Sequence, residues 1–196
     1  MFAIRNDRTW IEKFADEIEE SEVPDTWSLN VDTNLQKNTN AKYFSQNTFG
    51  SFQCFYCKRK WNSSKVFILF RMVLNKYQKY GIVTMRIFKQ GCQSCGSNTM
   101  QEPIISYENG KRVISNVVSH IQKVFYGKRN VNDDYPPNSY GKQEGPHDKE
   151  HCEACKFNLC DSQQTTSPQE TGVIVGGVLS ALLGVGALAL MYLAKD

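Results

Sequence analysis

Apolar residues recur along this chain in several distinct rhythms. Over residues 9–20, Trp10, Phe14 and Ile18 stand four apart, with Ile11 and Ala15 beside them. This is the stripe of an amphipathic helix that ends before Pro24. Such a face predicts docking onto the chain's own domain, or else a partner-binding helix. TWSLNVD (26–32) alternates Trp27, Leu29 and Val31 in strand fashion. KVFILFRMVLN (65–75) is apolar on both faces, as a covered strand is. A turn is predicted at Tyr80-Gly81, after which GIVTMRIFKQ (81–90) sets Val83, Met85 and Ile87 against Thr84 and Arg86. These two strands are expected to form a hairpin. KRVISNVVSHIQKVFYG (111–127) then places Ile114, Val117, Val118, Ile121 and Phe125 on one helical face, stopped by Gly127. His120 lies in that helix without a ligand-spaced neighbour and reads as a surface or capped core histidine.

The last rhythm is unbroken. From Gly172 to Ala194 run 23 residues without a charge. As a helix they would extend ~34 Å, enough for a bilayer core of about 30 Å. The first twenty residues carry charges throughout and lack the apolar region of a signal peptide. The pattern therefore predicts a tail-anchored, single-pass membrane protein of the endoplasmic reticulum or cell membrane, with its N-terminal domain in the cytosol and the bilayer as partner for 172–194. Gly172, Gly176, Ser180 and Gly184 recur every four residues. That small-residue face suggests self-association of the span or packing against another membrane helix. Residues 128–146 read as a polar linker and 161–171 as a short tether, leaving a domain over 1–160. The sequon Asn62-Ser63-Ser64 is expected to stay bare in a cytosolic domain.

Six of the seven cysteines form pairs of one spacing: Cys54/Cys57, Cys92/Cys95 and Cys152/Cys155, with Cys160 the seventh. In a cytosolic chain, repeated C-x-x-C points to zinc rather than to structural disulfides. A tight knuckle lets two thiolates converge on one tetrahedral ion at about 2.3 Å. His147, Cys152, Cys155 and Cys160 supply four candidate ligands within fourteen residues. His151, adjacent to Cys152, is an alternative that would need an awkward turn. Cys54, Cys57, Cys92 and Cys95 are left as an all-cysteine set whose pairs are separated by 34 intervening residues. Two structural Zn2+ ions are expected, with a cross-braced pairing as the variant. The fold expected is α+β: a small zinc-stabilised domain of zinc-ribbon-like β hairpins with two flanking helices, followed by the C-terminal transmembrane helix.

The net charge of +3 conceals a partition. Residues 51–130 hold fourteen Lys/Arg against two Asp/Glu, a net of +12, between flanks of −4 and −5. Lys58, Arg59 and Lys60, interleaved with Phe55, Tyr56 and Trp61, offer phosphate contacts beside stacking rings, so RNA is a candidate partner. The alternative is a solvated basic face over core aromatics. Enzymatic signals are missing: Lys149 stands two after His147 and His151 precedes Cys152, unlike the H-x-E and P-C-x-x-C of zinc deaminases. Neither H-E-x-x-H, G-x-S-x-G nor a P-loop occurs. No catalytic residue is expected.

These residues, in this order, resemble the receptor-transporting protein family, which shares a zinc domain with three C-x-x-C motifs. The resemblance is carried by TWIEKF (9–14), by TWSLNVD, and by Phe49-Gly50 before Cys54 and Cys57 with Trp61 after them. Met85, Arg86, Phe88 and Gln90 ahead of Cys92 and Cys95 also match, as does Ile114-Ser115-Asn116 through Tyr126-Gly127. The last match is His147 with Cys152, Glu153, Ala154, Cys155 and Cys160. It covers about residues 9–160, and the tether is shorter than in some relatives. The resemblance implies an accessory that helps G-protein-coupled receptors, odorant and taste receptors among them, leave the endoplasmic reticulum and reach the surface. Some members are associated with interferon responses and antiviral defence.

Overall fold

The computed structural model describes residues 3–4, 7–38, 41–128 and 147–160. The chain divides into two compact units, Met1–Thr165 and Thr166–Asp196, the second lying outside the described residues. In order, the first unit contains β1 (Ala3–Ile4), α1 (Asp7–Glu20), β2 (Thr26–Val31), β3 (Lys42–Gln53), β4 (Lys60–Asn75) and β5 (Tyr80–Ile87). Three short strands follow, β6 (Gln90–Gly91), β7 (Met100–Gln101) and β8 (Ile105–Ser106), then α2 (Tyr107–Tyr126) and α3 (Glu153–Lys156).

A four-stranded sheet in the order β2-β5-β4-β3 organises the unit, with β4 antiparallel to both neighbours and β2 parallel to β5. The two-faced run in β4 has two covers. Val66, Ile68, Phe70 and Met72 join Val83 and Met85 of β5 against Trp10 and Phe14 of α1 and Val113, Val117 and Ile121 of α2. Phe67 and Leu69 point the other way, onto Leu35, Phe88, Cys152 and Ala154. Side chains alternate across a strand, so consecutive apolar residues need a cover on each side. The helices supply one and the cysteine-rich segment near residue 152 supplies the other.

Both expected helices form. Trp10 and Phe14 are buried in the core, so α1 docks on its own domain, while Ile11 and Ala15 face outward. Ser115 Oγ donates to Glu17 Oε1 at 2.6 Å and Gln122 Nε2 to the Ser21 carbonyl at 2.9 Å, tying α1 to α2. The second helix begins earlier than its apolar stripe, at a Ser106 cap that accepts from the Asn109 amide. It ends at Gly127 in the left-handed conformation. His120 is half-buried and stacks on Phe44 with centroids 4.6 Å apart. Burial, and then the nearby Lys123 charge, lower its pKa.

The hairpin of β4 and β5 is present, but its turn is not at Tyr80-Gly81. The chain reverses over 76–79, where Asn75 Oδ1 accepts from the Tyr77 and Gln78 amides. Gly81 lies inside β5 opposite Trp27. A Cβ there would stand 2.3 Å from the Trp27 ring, so glycine is required by close approach rather than by a turn. Trp27 Nε1 in turn donates to Tyr126 Oη at 2.9 Å, and Tyr126 donates to Asp25 Oδ2 at 2.8 Å. Arg86, on the strand face opposite Val83 and Met85, is buried as well.

The expected single-pass membrane localisation is corrected. Among the described residues no helix is long and apolar enough to cross a membrane. The longest, α2, has 20 residues but carries Glu108, Lys111, Arg112 and Lys123 opposite its apolar face. Residues 172–194, with the small-residue face of Gly172, Gly176, Ser180 and Gly184, lie outside the described residues, as do the tether 161–171 and positions 129–146 of the linker.

Candidate metal centres

Two hairpin-like turns build the first cluster. The register of β3 on β4 ends at Gln53 and Lys60, so Cys54 and Cys57 occupy the turn between them. Cys54 N donates to the Arg59 carbonyl at 2.9 Å and Lys58 N to the Cys54 carbonyl at 3.1 Å, closing the knuckle. Lys58, just after the second cysteine, has φ 62. Gly96, the matching position after Cys95, has φ 61. Cys92 and Cys95 stand in the loop that joins paired β6 and β7. The two knuckles are cross-linked by Phe55 N donating to Gln101 Oε1 at 3.2 Å and by Arg59 bonding Ser94 Oγ.

In this arrangement Cys54 Sγ is 3.6 Å from Cys95 Sγ, and Cys57 Sγ is 3.6 Å from Cys92 Sγ. The four sulfurs all lie within 4.8 Å of one another. Cys54 and Cys92 are buried, Cys57 and Cys95 exposed. A disulfide would need about 2.05 Å. A tetrahedral zinc with Zn–S near 2.3 Å needs an edge of ~3.8 Å. The set fits a zinc ion and not a pair of disulfides.

The second cluster lies beneath the sheet. Cys152 precedes α3, Cys155 lies within it, and Asn158 in the left-handed region (φ 56) turns the chain back toward Cys160. His147 Nε2 stands 3.1 Å from Cys155 Sγ, and Cys152 Sγ 3.7 Å from Cys160 Sγ. These four ligand atoms also fall within 4.8 Å of one another. His151 is placed elsewhere, its Nδ1 2.7 Å from Asp148 Oδ2. Two clusters of four soft or borderline donors fit two zinc ions, each with a complete tetrahedral shell. Cys54 and Cys57 share a cluster with Cys92 and Cys95, so the pairing is local to each site rather than cross-braced among the three motifs.

The thiol acidities divide within each cluster. The Cys57 backbone amide, bonding the Cys54 sulfur, lowers that thiol to about 6. At Cys95 the Ser97 amide pulls downward, but the hydrogen bond with the Cys54 thiol, aided by local desolvation and the Cys57 and Cys92 thiols, outweighs it and lifts Cys95 to about 11. Hydrogen bonding from Cys160 lowers Cys152 to about 5, and the same contact raises Cys160.

Sequence reasoning missed the residues that dock the second cluster. Arg86 is 4% exposed and donates to Glu153 Oε1 and to the Leu35 carbonyl, each at 2.9 Å. Its guanidinium also lies 4.3 Å from the Phe88 ring and 4.7 Å from that of Phe157. The other oxygen of Glu153 accepts from the Lys89 amide at 2.7 Å. Backbone bonds continue the junction: Glu153 N to the Lys89 carbonyl at 3.1 Å and Gly91 N to the His151 carbonyl at 2.7 Å. Gln90 pairs with Cys152 as an isolated bridge, two residues before the ligand Cys92. Gln93 bonds Asp148, adjacent to His147. The available signal was a charged residue in the strand that neighbours one apolar on both faces.

A family model described as a zinc-binding domain, a three-CxxC zinc ribbon, matches residues 47–158. Human receptor-transporting protein 4 is 36% identical over 156 residues, covering 78% of this chain and 63% of the relative. Mouse receptor-transporting protein 1 is 34% identical over 155 residues, covering 76% of this chain and 58% of the relative. Mouse receptor-transporting protein 2 is 32% identical over 158 residues, covering 76% and 69%. The chain thus spans about six tenths of the length of the type 4 relatives it matches. No solved structure matches it significantly. The matched segment holds the all-cysteine cluster, the junction and every ligand of the second cluster but Cys160, which lies just beyond its edge, and on this shared sequence the chain belongs to the receptor-transporting protein family.

Proposed function

We propose that this chain is an accessory that promotes folding, trafficking and surface expression of G-protein-coupled receptors, with odorant and taste receptors as its clients. Cys54, Cys57, Cys92 and Cys95 are the ligands of one structural zinc, and His147, Cys152, Cys155 and Cys160 of the other. The observation that supports this reading most is the donor count: each cluster brings four protein ligands together, leaving a tetrahedral ion no position for substrate. Zinc of that kind holds a surface in shape, so the role proposed is binding and not catalysis. No membrane span is part of the reading.

An antiviral, RNA-binding role draws less support. Of the three rings it would use, Trp61 stacks on Phe52 with centroids 5.2 Å apart and bonds Gln90 Oε1 at 3.2 Å. That ring belongs to the packing of the hairpin.

The test is co-expression with a panel of poorly trafficked chemosensory receptors, counting surface receptor by flow cytometry. A gain that disappears with Cys92→Ser is the expected result. Absence of any gain from folded, zinc-loaded protein would sink the proposal.

A further inference from the structure

We propose that the tip of the first knuckle, Phe55 and Tyr56 ringed by Lys58, Arg59 and Lys60, docks on an anionic lipid surface. The proposal deepens the receptor reading, which gives the contact its purpose, while its geometry stands independently.

Phe55 is 69% exposed and Tyr56 61% exposed, whereas the next aromatic rings along the hairpin, Phe52 and Trp61, pack on each other. The two adjacent rings touch each other and Lys58 but stay largely in water at the turn. They sit on a rigid base, because the turn is closed by Cys54–Arg59 pairing and anchored by Phe55 N on Gln101 and Arg59 on Ser94. A preorganised tip loses little freedom on docking. Lys58, Arg59 and Lys60 are all exposed around it. Amphipathic rings at headgroup depth, flanked by cations facing anionic headgroups, make up the chemistry of interfacial anchoring.

Single-stranded nucleic acid is the competing anion, and the ring geometry disfavours it. Successive bases stack on successive ring faces. Here the Phe55 and Tyr56 planes stand at 89° with centroids 5.5 Å apart. The Lys58 ammonium lies 4.7 Å from the Phe55 centroid and bonds the Phe55 carbonyl at 2.6 Å, occupying one face. An edge-first wedge suits a headgroup layer better than a column of bases.

The experiment uses the full chain carrying Phe55→Trp, zinc-loaded and without any receptor. It is mixed with phosphatidylcholine vesicles, with or without phosphatidylserine, containing brominated acyl chains. A signal read at the substituted position is specific to the tip, whatever other segment binds lipid, once the unsubstituted chain is subtracted. On anionic vesicles the introduced indole should shift to the blue and be quenched by bromine. Adding Lys58→Glu and Lys60→Glu should move the lipid midpoint by about tenfold or more. The cobalt-substituted spectrum of the all-cysteine cluster verifies that each variant is folded.

An indole that stays solvent-like and unquenched on anionic vesicles overturns the proposal. So does a response to single-stranded RNA without one to vesicles, which would assign the tip to nucleic acid. Intact quenching with failed receptor delivery would remove the receptor reading and leave this contact standing. Delivery without quenching would do the reverse.

Discussion

Removing the Glu153 carboxylate, by Glu153→Ala, should loosen the second metal cluster while leaving the first intact. The substitution strands the guanidinium of a side chain only 5% exposed, and it leaves the Lys89 amide without the Glu153 oxygen that accepts from it at 2.7 Å. Breaking a buried ion pair by deleting one partner costs about 3–5 kcal/mol. Arg86 would keep the Leu35 carbonyl and the Phe88 and Phe157 rings, and Glu153 is itself 20% exposed, so the low end applies. A loss of about 3 kcal/mol corresponds to roughly 150-fold in a binding constant.

Because Glu153 lies between the ligands Cys152 and Cys155, that loss should appear as weaker zinc retention at the histidine-containing cluster. Cobalt substitution reads the two clusters separately, since all-sulfur and three-sulfur-one-nitrogen ligand sets differ in their visible spectra. Chelator competition should then extract the second metal from Glu153→Ala about a hundredfold more readily and the first at the wild-type rate. Arg86→Met combined with Glu153→Met removes both charges and should recover much of the loss, because the penalty arises from the unpaired charge rather than from the missing pair. Wild-type metal retention and denaturation midpoint in Glu153→Ala would refute the docking argument. A double variant no better than the single would refute its electrostatic part.

Other sites give sharper single outcomes. Gly81→Ala sets a methyl 2.3 Å from the Trp27 ring and should destabilise by about 3 kcal/mol or more, read as a lowered urea midpoint, with partial recovery when Trp27 is reduced to Leu. Tyr126→Phe leaves Trp27 Nε1 without its 2.9 Å acceptor, and should cost about 1–3 kcal/mol in the same assay with both metal spectra unchanged. Zinc binding should release protons. Cys95, lifted to about 11, and Cys160, also raised, are protonated at neutral pH and must ionise to bind, so calorimetry in buffers of differing ionisation enthalpy should report at least about two protons per doubly loaded chain. The sign for the lowered thiols is opposite: Cys54 and Cys152 favour the metal-free fold above the ordinary thiol range, and that contribution is lost as pH falls through about 6 and 5. Zinc retention should therefore weaken steadily on acidification, and a pH-independent affinity would count against thiolate ligation.

Which features the sequence disclosed depends on whether their causes are local. A C-x-x-C spacing is a property of one tight turn, so the partners of Cys54 and Cys152 can be grouped from the order of residues alone, and the His147–Cys160 segment carries its whole ligand set within one short stretch. The stripes of α1 and α2 each report a single buried face, and both helices form where the stripes lie. The misses share a different origin. Strand β3 runs over KYFSQNTFGSFQ with polar groups turned inward, because Gln46 Nε2 donates to the Val113 carbonyl at 2.9 Å and Asn116 to Gln46 at 2.8 Å. Those partners are 67 and 70 residues away, and no alternation within β3 can reveal them.

Arg86 shows most fully how a distant cause hides. Period-two alternation correctly separated Val83 and Met85 from Thr84 and Arg86, but it could not say that the second face was also covered. The sign of that cover was present twice in the chain, in the odd-numbered Phe67 and Leu69 of β4 and in the apolar Cys152 and Ala154 that meet them. A strand apolar on both faces implies that its neighbour is covered on both faces too, so a cation in that neighbour must be paired inside. Followed to its end, that inference asks for an acidic partner from the covering segment, which carries Asp148, Glu150 and Glu153; the structure pairs Arg86 with Glu153, so the second metal cluster is part of the core rather than an appendage to it.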